Sequence, residues 1–309
     1  MELIFLGTPE FAVPTLEALV AAGHHVLAVF TQPDRPKGRG GELSMPAVKQ
    51  AALRFGLPVY QPERIRRPEA VEQLRQLHPE IMVVVGYGQI IPQSIIDIPP
   101  KGIINVHGSL LPKYRGAAPI QWAIANGEAR TGVTTMRIDA GMDTGDMLLK
   151  WETEIAPEED ALELGARLAV AGAELLISTL RENPPPAKQD PAEATYAPIL
   201  KKEDGQIDWI WPAQKIFNRA RGLLPWPGAF SYFRGQLFHI WKARVAEDAA
   251  PGEPGRLVAR QRRLLIACGE ATTLEAVEVQ VEGRKRVPAA AFLNGVRLNE
   301  NELLGAVAA

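Results

Sequence analysis

Residues 103–116 read IINVHGSLLPKYRG and mark the end of a buried strand. The apolar run stops abruptly at polar residues, as buried strands do where they deliver side chains to the carboxyl edge of a sheet. Asn105 and His107 are two residues apart, so their side chains lie on the same face of an extended strand. An amide and an imidazole on one face can hold and protonate an oxygen atom, which predicts chemistry at this edge.

A second loop, at 139–146, reads DAGMDTGD and follows a predicted strand at 131–138. If Asp143 lies beside His107, its carboxylate can orient the imidazole and assist proton transfer. Aspartates in such loops also cap their own turns, so a purely structural role for Asp143 is the alternative.

Up to about residue 183, short β-branched runs alternate with helical patterns, which predicts an α/β fold with a parallel sheet. The loops that follow the strands then meet at one edge, where ligands bind. The predicted strands are 3–6, 26–31, 81–85, 102–107, 131–138 and 147–154, and the predicted helices are 12–22, 47–55, 69–77 and 161–180. The run 81–85 is the most continuous and predicts the central strand.

A proline-rich segment at 183–191 ends the helical periodicity and predicts a stiff linker. We expect a catalytic domain at 1–189, a linker at 190–208 and a C-terminal domain at 209–309. The last domain has a helical pattern near 213–221, followed by five short runs that glycine and proline separate, which predicts a small β-barrel. These runs are 229–233, 237–243, 255–258, 264–267 and 273–281.

The charge distribution is more informative than the net charge of −2. Residues 200–309 contain 16 Lys and Arg against 12 Asp and Glu, so the C-terminal third is basic and the rest is acidic. A basic domain favours an anionic partner such as RNA, with an ordinary solvated surface as the alternative. The basic residues that favour RNA as a set are Arg260, Arg262, Arg263, Arg284, Lys285 and Arg286.

A single cysteine, Cys268, excludes an internal disulfide and a cysteine-based zinc site, and it leaves the cytoplasm as the expected location. The first residues, MELIFL, lack the basic segment of a signal peptide and predict a first strand. No apolar stretch is long enough to span a membrane, so no membrane partner is expected. We also expect a monomer.

Motif spacing excludes several enzyme classes. The loop at 7–11, GTPEF, lacks the glycine patterns that bind the phosphates of NAD, FAD or ATP. The five histidines lack the spacing of zinc hydrolases, so no metal is expected. His107-Gly-Ser109 lacks the second glycine of a serine-hydrolase elbow.

The pattern Asn105-x-His107-x-Ser109-Leu-Leu-Pro112, with Arg115-Gly116 and the DTGD sequence of the second loop, resembles the signature of 10-formyltetrahydrofolate-dependent formyltransferases. Four further motifs narrow the resemblance to the members that act on methionyl-tRNA, and together they span nearly the whole chain. These motifs are GTPEFA at 7–12, TQPDRP at 31–36, GAAPIQ at 116–121 and GLLPWPGA at 222–229.

The resemblance implies a Rossmann-like formyltransferase domain followed by an OB-like barrel that binds tRNA. It implies transfer of the formyl group of 10-formyltetrahydrofolate to the amino group of initiator methionyl-tRNA, for translation initiation. Asn105 would stabilise the charge that develops on the formyl oxygen, while His107 and Asp143 would move protons.

Further site residues follow from the same resemblance. The folate-binding residues would be Val85, Gly86, Tyr87, Ser109, Leu110, Leu111, Pro112 and Asp139. Phe11 would line the methionyl pocket, although a core position explains it equally well. Arg35, Lys37 and Arg39 would contact the tRNA, Arg39 at the tRNA end, and a solvated basic loop at 32–44 is their alternative reading.

Three other functions stay open. The chain could formylate another amine, such as an amino-sugar nucleotide, or hydrolyse formyltetrahydrofolate. It could also be a non-catalytic RNA-binding protein on a degenerate enzyme domain. The intact Asn105, His107 and Asp143 set argues against that last function, and the basic loop and barrel favour tRNA as substrate.

Overall fold

The computed structural model describes residues 1–37 and 42–305, so Arg39 lies outside the described residues. The chain forms two compact units, each built from several segments. Unit 1 comprises Met1–Pro119, Arg130–Glu154 and Gly165–Ala197, and unit 2 comprises Ile120–Ala129, Ile155–Leu164 and Pro198–Ala309. The predicted domain boundaries stay a prediction.

Unit 1 contains the strands β1 to β11. They are β1 (Glu2–Gly7), β2 (His25–Phe30), β3 (Arg35–Lys37), β4 (Glu42–Ser44), β5 (Val59–Tyr60), β6 (Ile81–Val85), β7 (Ile103–His107), β8 (Arg115–Gly116), β9 (Arg130–Arg137), β10 (Met147–Glu154) and β11 (Tyr196–Ala197). The first six helices are α1 (Val13–Ala21), α2 (Ala47–Arg54), α3 (Pro68–Gln76), α4 (Gln93–Ile96), α5 (Pro119–Ala125) and α6 (Ala161–Glu182). α5 and α6 each pass from one unit to the other.

Seven strands form the main sheet, in the order β10-β9-β7-β6-β1-β2-β5. β7, β6, β1, β2 and β5 run parallel, whereas at one edge β9 pairs antiparallel with β7 and β10 pairs antiparallel with β9. β6 is the central strand, as its continuous apolar sequence predicts. All five of its residues are buried, as in a sheet that helices cover on both faces.

The connecting helices are amphipathic and bury one side each. α3, for example, buries Ala70, Val71 and Leu74, and its exposed face is charged. Its first residue is Pro68, which suits the first turn of a helix because the missing N–H would have no helical partner there. The parallel connections bring the ends of β1, β2, β6 and β7 to one edge of the sheet.

Unit 2 contains a second, antiparallel sheet. Its elements are α7 (Ala213–Gly222), β12 (Ala229–Phe233), β13 (Gln236–Ala246), β14 (Leu257–Arg260), β15 (Arg263–Ala267), β16 (Thr273–Val281), β17 (Val287–Pro288), α8 (Ala289–Gly295) and β18 (Leu304–Gly305). The order is β14-β15-β16-β13-β12-β18, with β17 on β16. Its two edges meet, because Leu257 donates to the carbonyl of Glu302 and Leu304 donates to that of Gly255. The predicted barrel is confirmed, with two short strands more than expected.

Within the segment predicted as a loop at 32–44, Arg35–Lys37 and Glu42–Ser44 instead form two short strands, β3 and β4, that pair in antiparallel fashion. A composition argument does not detect such a pairing. Within the described ranges, no helix is both long and apolar enough to cross a membrane.

Candidate active site

Asn105 and His107 lie on β7, between β6 and β9, near the carboxyl edge of the sheet. Their shared face is the one that the sequence predicts. Both side chains are mostly buried, with 9% and 6% of their surface exposed. Because a strand with neighbours on both sides is rigid, the two polar groups are held at fixed positions.

His107 has a different partner at each ring nitrogen. Nε2 lies 2.9 Å from the carbonyl oxygen of Tyr114, and a carbonyl only accepts, so Nε2 carries a proton that it donates. Nδ1 lies 3.7 Å from Oδ2 of Asp143. The nitrogen that can gain or lose a proton is therefore Nδ1, which faces the carboxylate. The predicted pairing of His107 with Asp143 is present in the structure.

The loop after His107 is held by hydrogen bonds within the loop and to Thr134 on β9. Ser109 Oγ donates to the carbonyl of Lys113 at 2.6 Å. Thr134 Oγ1 donates to the carbonyl of Ser109 at 2.7 Å and accepts from the amide of Leu111 at 3.1 Å. The Leu111–Pro112 peptide bond is cis. The hydrogen bonds of Ser109 and Thr134 fix the turn that presents the Tyr114 carbonyl to His107.

The sequence leaves two roles open for Asp143, to cap its own loop or to face His107. In the structure, Asp139 has the first role and Asp143 has the second. Oδ1 of Asp139 accepts from the amide of Gly141 at 3.0 Å and from the hydroxyl of Thr144 at 2.7 Å, so Asp139 caps the loop. Asp143 has φ +52°, and its Oδ2 accepts from the amide of Gly116 at 2.8 Å. Its carboxylate thus points out of its own loop, toward His107.

Two residues hold this arrangement together: Arg115, which the sequence signature includes without a role, and Gln189, which the sequence does not single out. Arg115 is only 5% exposed, and its Nε and Nη2 donate to Oε1 of Gln189 at 3.0 and 2.8 Å. Gln189 Nε2 in turn donates to the carbonyls of Asp143 and Gly145. Gln189 lies inside the proline-rich segment at 183–191, and this position gives no signal of its role.

The side-chain amide of Asn105 makes no hydrogen bond to any protein group among the residues that the structure describes. A mostly buried amide without a partner is costly unless a ligand or water satisfies it. Asn105 is therefore free to donate to an oxygen of a bound substrate.

The predicted folate-binding residues are placed as follows. Val85, Tyr87, Ser109, Leu111 and Pro112 are buried, Leu110 is half-buried, and Gly86 and Asp139 are exposed. The ring of Tyr87 belongs to the core, burial raises the pKa of its phenol, and its hydroxyl has no partner among the described groups. A ligand can reach Tyr87 only through its backbone.

The Tyr87 carbonyl links three loops, those that follow β1, β2 and β6. It accepts from the hydroxyl of Thr8 at 2.9 Å and from Nε2 of Gln32 at 3.1 Å. Gly86 has φ +55°, and a Cβ there would lie 3.0 Å from Cγ of Pro9. The loops after β1, β2 and β6 therefore form one surface at the carboxyl edge.

The residues predicted for the tRNA side are only partly described. Phe11 is half-buried in a short 3₁₀ helix, Glu10–Ala12. Arg35 is exposed on β3, and the backbone of Lys37 ends that strand. Throughout the described residues, no group of three or more histidine, cysteine, aspartate or glutamate side chains could hold a metal ion.

Comparison with known proteins identifies the family to which this chain belongs. The sequence model of the formyl transferase family matches residues 1–180, and that of the formyl transferase C-terminal domain matches residues 199–297. A methionyl-tRNA formyltransferase of Solibacter usitatus is 66% identical over 99% of both chains, and one of Koribacter versatilis is 58% identical over 99% of both. The chain belongs to the methionyl-tRNA formyltransferase family.

Solved structures agree in fold. The N-formyltransferase of Helicobacter canadensis, in complex with folinic acid and dTDP-3-aminofucose, has a TM-score of 0.67 at 18% identity, over 89% of this chain and 98% of that one. Methionyl-tRNA formyltransferase from Clostridium thermocellum has a TM-score of 0.58 at 19% identity, over 80% and 94%. At such identities the likeness concerns the fold alone.

Family membership confirms the predicted fold class and the prediction of an enzyme that transfers a formyl group. Formyltransferases of this family use 10-formyltetrahydrofolate, as the resemblance implies. The roles of individual residues stay predictions.

Proposed function

We propose that this protein transfers the formyl group of 10-formyltetrahydrofolate to the amino group of initiator methionyl-tRNA. The observation that carries the proposal is the side-chain amide of Asn105, which has no hydrogen-bond partner among the described residues. It lies two residues from an imidazole whose Nδ1 faces the Asp143 carboxylate. The acceptor is taken from the relatives, which are named methionyl-tRNA formyltransferases and match this chain over nearly its whole length. The donor is the one that the family uses.

The three side chains match what formyl transfer requires. Negative charge develops on the formyl oxygen as the amine attacks, and Asn105 can donate a hydrogen bond that strengthens with that charge. The attacking amine must lose a proton, and Nδ1 of His107 can take it while Asp143 stabilises the resulting imidazolium. When the tetrahedral intermediate collapses, the bond from the formyl carbon to N10 of the donor breaks, and the same proton passes to N10 so that tetrahydrofolate leaves as a neutral amine. The proton on Nε2 stays with the Tyr114 carbonyl throughout, so the ring does not need to turn.

The residues that would hold 10-formyltetrahydrofolate lie on the loops around Asn105, His107 and Asp143. Gly86 and the backbone of Tyr87 would form one wall of the pterin site, and the loop at 139–143 would form the other. The exposed backbone of Gly86 and the fixed conformation of the Asp139 turn support this proposal. Ser109–Pro112 would contact the folate through backbone groups, since the side chains of Ser109, Leu111 and Pro112 are buried.

One experiment decides between methionyl-tRNA and another amine. The protein is incubated with 10-formyltetrahydrofolate and, separately, with methionyl-tRNA, free methionine or an amino-sugar nucleotide. Formylation of methionyl-tRNA alone is the expected result. Formylation of the sugar nucleotide would replace the acceptor that we propose, and release of formate without an acceptor would indicate a hydrolase.

Arg39 carries the prediction for the basic loop. We expect Arg39→Ala to raise KM for methionyl-tRNA about tenfold and to leave donor binding unchanged, because the guanidinium would meet tRNA phosphates and not the pterin. Steady-state kinetics with each substrate varied in turn measure both effects. Equal losses for the two substrates would place Arg39 at the donor instead.

The structure divides the basic residues of the barrel into two groups. Arg263 pairs with Glu275 and Asp248, and Arg286 pairs with Glu278. Arg260, Arg262, Arg284 and Lys285 are exposed and form no ion pair within the described part of the chain. Only the second group has its full charge available to an RNA backbone.

We therefore expect reversal of Arg262, Arg284 and Lys285 to Glu to raise KM for methionyl-tRNA tenfold or more and to weaken its dependence on salt. The donor KM stays unchanged, because folate binding uses unit 1. Reversing three exposed arginines of unit 1, Arg64, Arg66 and Arg67, changes the net charge by the same amount and serves as the control. Equal effects in the two triple variants would show that overall charge, not the barrel surface, attracts the tRNA.

We also propose that the protein works as a monomer in the cytoplasm. Its single cysteine, buried on the barrel, needs no oxidising compartment. Sedimentation of the purified protein at working concentration tests the monomer.

A further inference from the structure

We propose that Gln189 is a positioning residue that sets the catalytic carboxylate of Asp143 against His107. This inference rests on the proposed function, since it concerns how the same site is held in place. Gln189 belongs to the segment after α6.

Gln189 uses both ends of its amide. Oε1 accepts two hydrogen bonds from Arg115, and Nε2 donates to the carbonyl of Asp143 at 2.8 Å and to that of Gly145 at 2.7 Å. Only a primary amide can accept from a guanidinium at one end and donate to two carbonyls at the other. With 8% of its surface exposed, the side chain has little room to adopt another conformation.

The bonds of Gln189 connect the two loops that provide the partners of His107. Arg115 directly follows Tyr114, whose carbonyl accepts from Nε2 of His107. Gly116 follows in turn, and its amide holds Oδ2 of Asp143. The Arg115–Gln189 pair therefore fixes the distance between the loop that binds Nε2 and the loop that faces Nδ1.

The chain around Gln189 reinforces this connection. Thr195 accepts from the amide of Tyr114 with its hydroxyl and from the amide of Arg115 with its carbonyl, both at 2.9 Å. β11 then pairs with β8. Asp143 itself has a left-handed backbone, which persists only where surrounding contacts determine it. Gln189 provides two of those contacts.

The informative substitution is Gln189→Glu. A glutamate keeps the acceptor that Arg115 uses and forms an ion pair with it, so the fold should persist. It cannot donate to the carbonyls of Asp143 and Gly145, and it places negative charge beside them. We expect kcat to fall about tenfold, with KM for either substrate within about twofold of the parent.

The same substitution in a protein that already carries Asp143→Asn tests whether the fall in kcat depends on Asp143. In Asp143→Asn protein, Gln189→Glu should lower kcat by less than about twofold further, because the carboxylate that it positions is already gone. A full tenfold loss in both backgrounds would overturn the proposal and make Gln189 a general structural residue. Lys188→Ala is the matched control: Lys188 is the neighbour of Gln189, its side chain is 90% exposed, and it reaches the same loop at Asp146.

Hydrogen exchange separates this proposal from the proposed function. In Gln189→Glu, the amides of Gly116 and of residues 139–146 should exchange about tenfold faster than in the parent or in Lys188→Ala, whatever the enzyme formylates. Unchanged exchange would overturn the positioning role even if the parent is active. Parent protein that does not formylate methionyl-tRNA would instead refute the proposed function and leave the exchange result standing.

Discussion

Asp143→Asn is expected to lower kcat about a hundredfold or more, which corresponds to about 2.7 kcal/mol of lost transition-state stabilisation. The asparagine keeps the size of the side chain and an oxygen that can accept from Gly116. It lacks the charge that would stabilise a proton on Nδ1 of His107, 3.7 Å away. Donor affinity should change little, because the carboxylate acts mainly in the transition state.

Asn105→Ala and His107→Ala should have effects of similar size, since each removes one group from the same step. Rapid-quench measurement of a single turnover separates the chemical step from binding. Asp97→Asn is a suitable control that should leave kcat unchanged, because among the described residues this carboxylate accepts a side-chain hydrogen bond only from Gln93 on α4. A variant of Asn105, His107 or Asp143 that retains parent turnover would remove that residue from the mechanism.

Gly116→Ala is expected to destabilise unit 1 by about 2–5 kcal/mol and to abolish most activity. The residue has φ +118°, which side chains rarely adopt, and an added Cβ would lie 2.6 Å from the carbonyl oxygen of Ala197. Relief of this contact must move the backbone whose amide holds Oδ2 of Asp143. Denaturant unfolding and turnover of the variant measure the two consequences.

Gly283→Ala separates backbone strain from the clash. Gly283 also has a positive φ, +72°, but a Cβ there would meet nothing within 4 Å. This substitution should cost only about 1–2 kcal/mol and leave kcat unchanged. If Gly116→Ala were no more harmful than this control, β8 and β11 would be looser than their pairing indicates.

The predicted strands of unit 1 agree with the structure to within about one residue because each is a short apolar run with clear turn signals on both sides. The antiparallel pairing of β9 with β7 and β10 has no such signal, since the alternating pattern of these strands fits either direction. The sequence does not predict β3 and β4, because each has only three residues and depends on its pairing with the other.

At the site, the common face of Asn105 and His107 follows from the period of a strand and needs no tertiary information. The choice between Asp139 and Asp143 as the loop cap does need it, because both aspartates have a suitable neighbour in sequence. Gln189 lies 74 residues from Arg115, and no local pattern connects them. Likewise, the sequence cannot tell Arg263, which pairs with Glu275, from Arg262, which has no such partner in the described chain.

The segmented construction of the two units has a consequence for protein synthesis. Unit 1 needs Gly165–Ala197 before its sheet edge and β8 are complete, and unit 2 combines Ile120–Ala129 and Ile155–Leu164 with the chain that follows Pro198. Within unit 2, Gly127 packs against Asn218, and Arg221 donates to the carbonyl of Glu159. A nascent chain that has emerged only as far as α6 therefore carries segments whose partners have not yet been translated. In ribosome-bound intermediates of this protein, Ile120–Ala129 and Ile155–Leu164 should stay sensitive to protease until the chain that follows Pro198 has emerged.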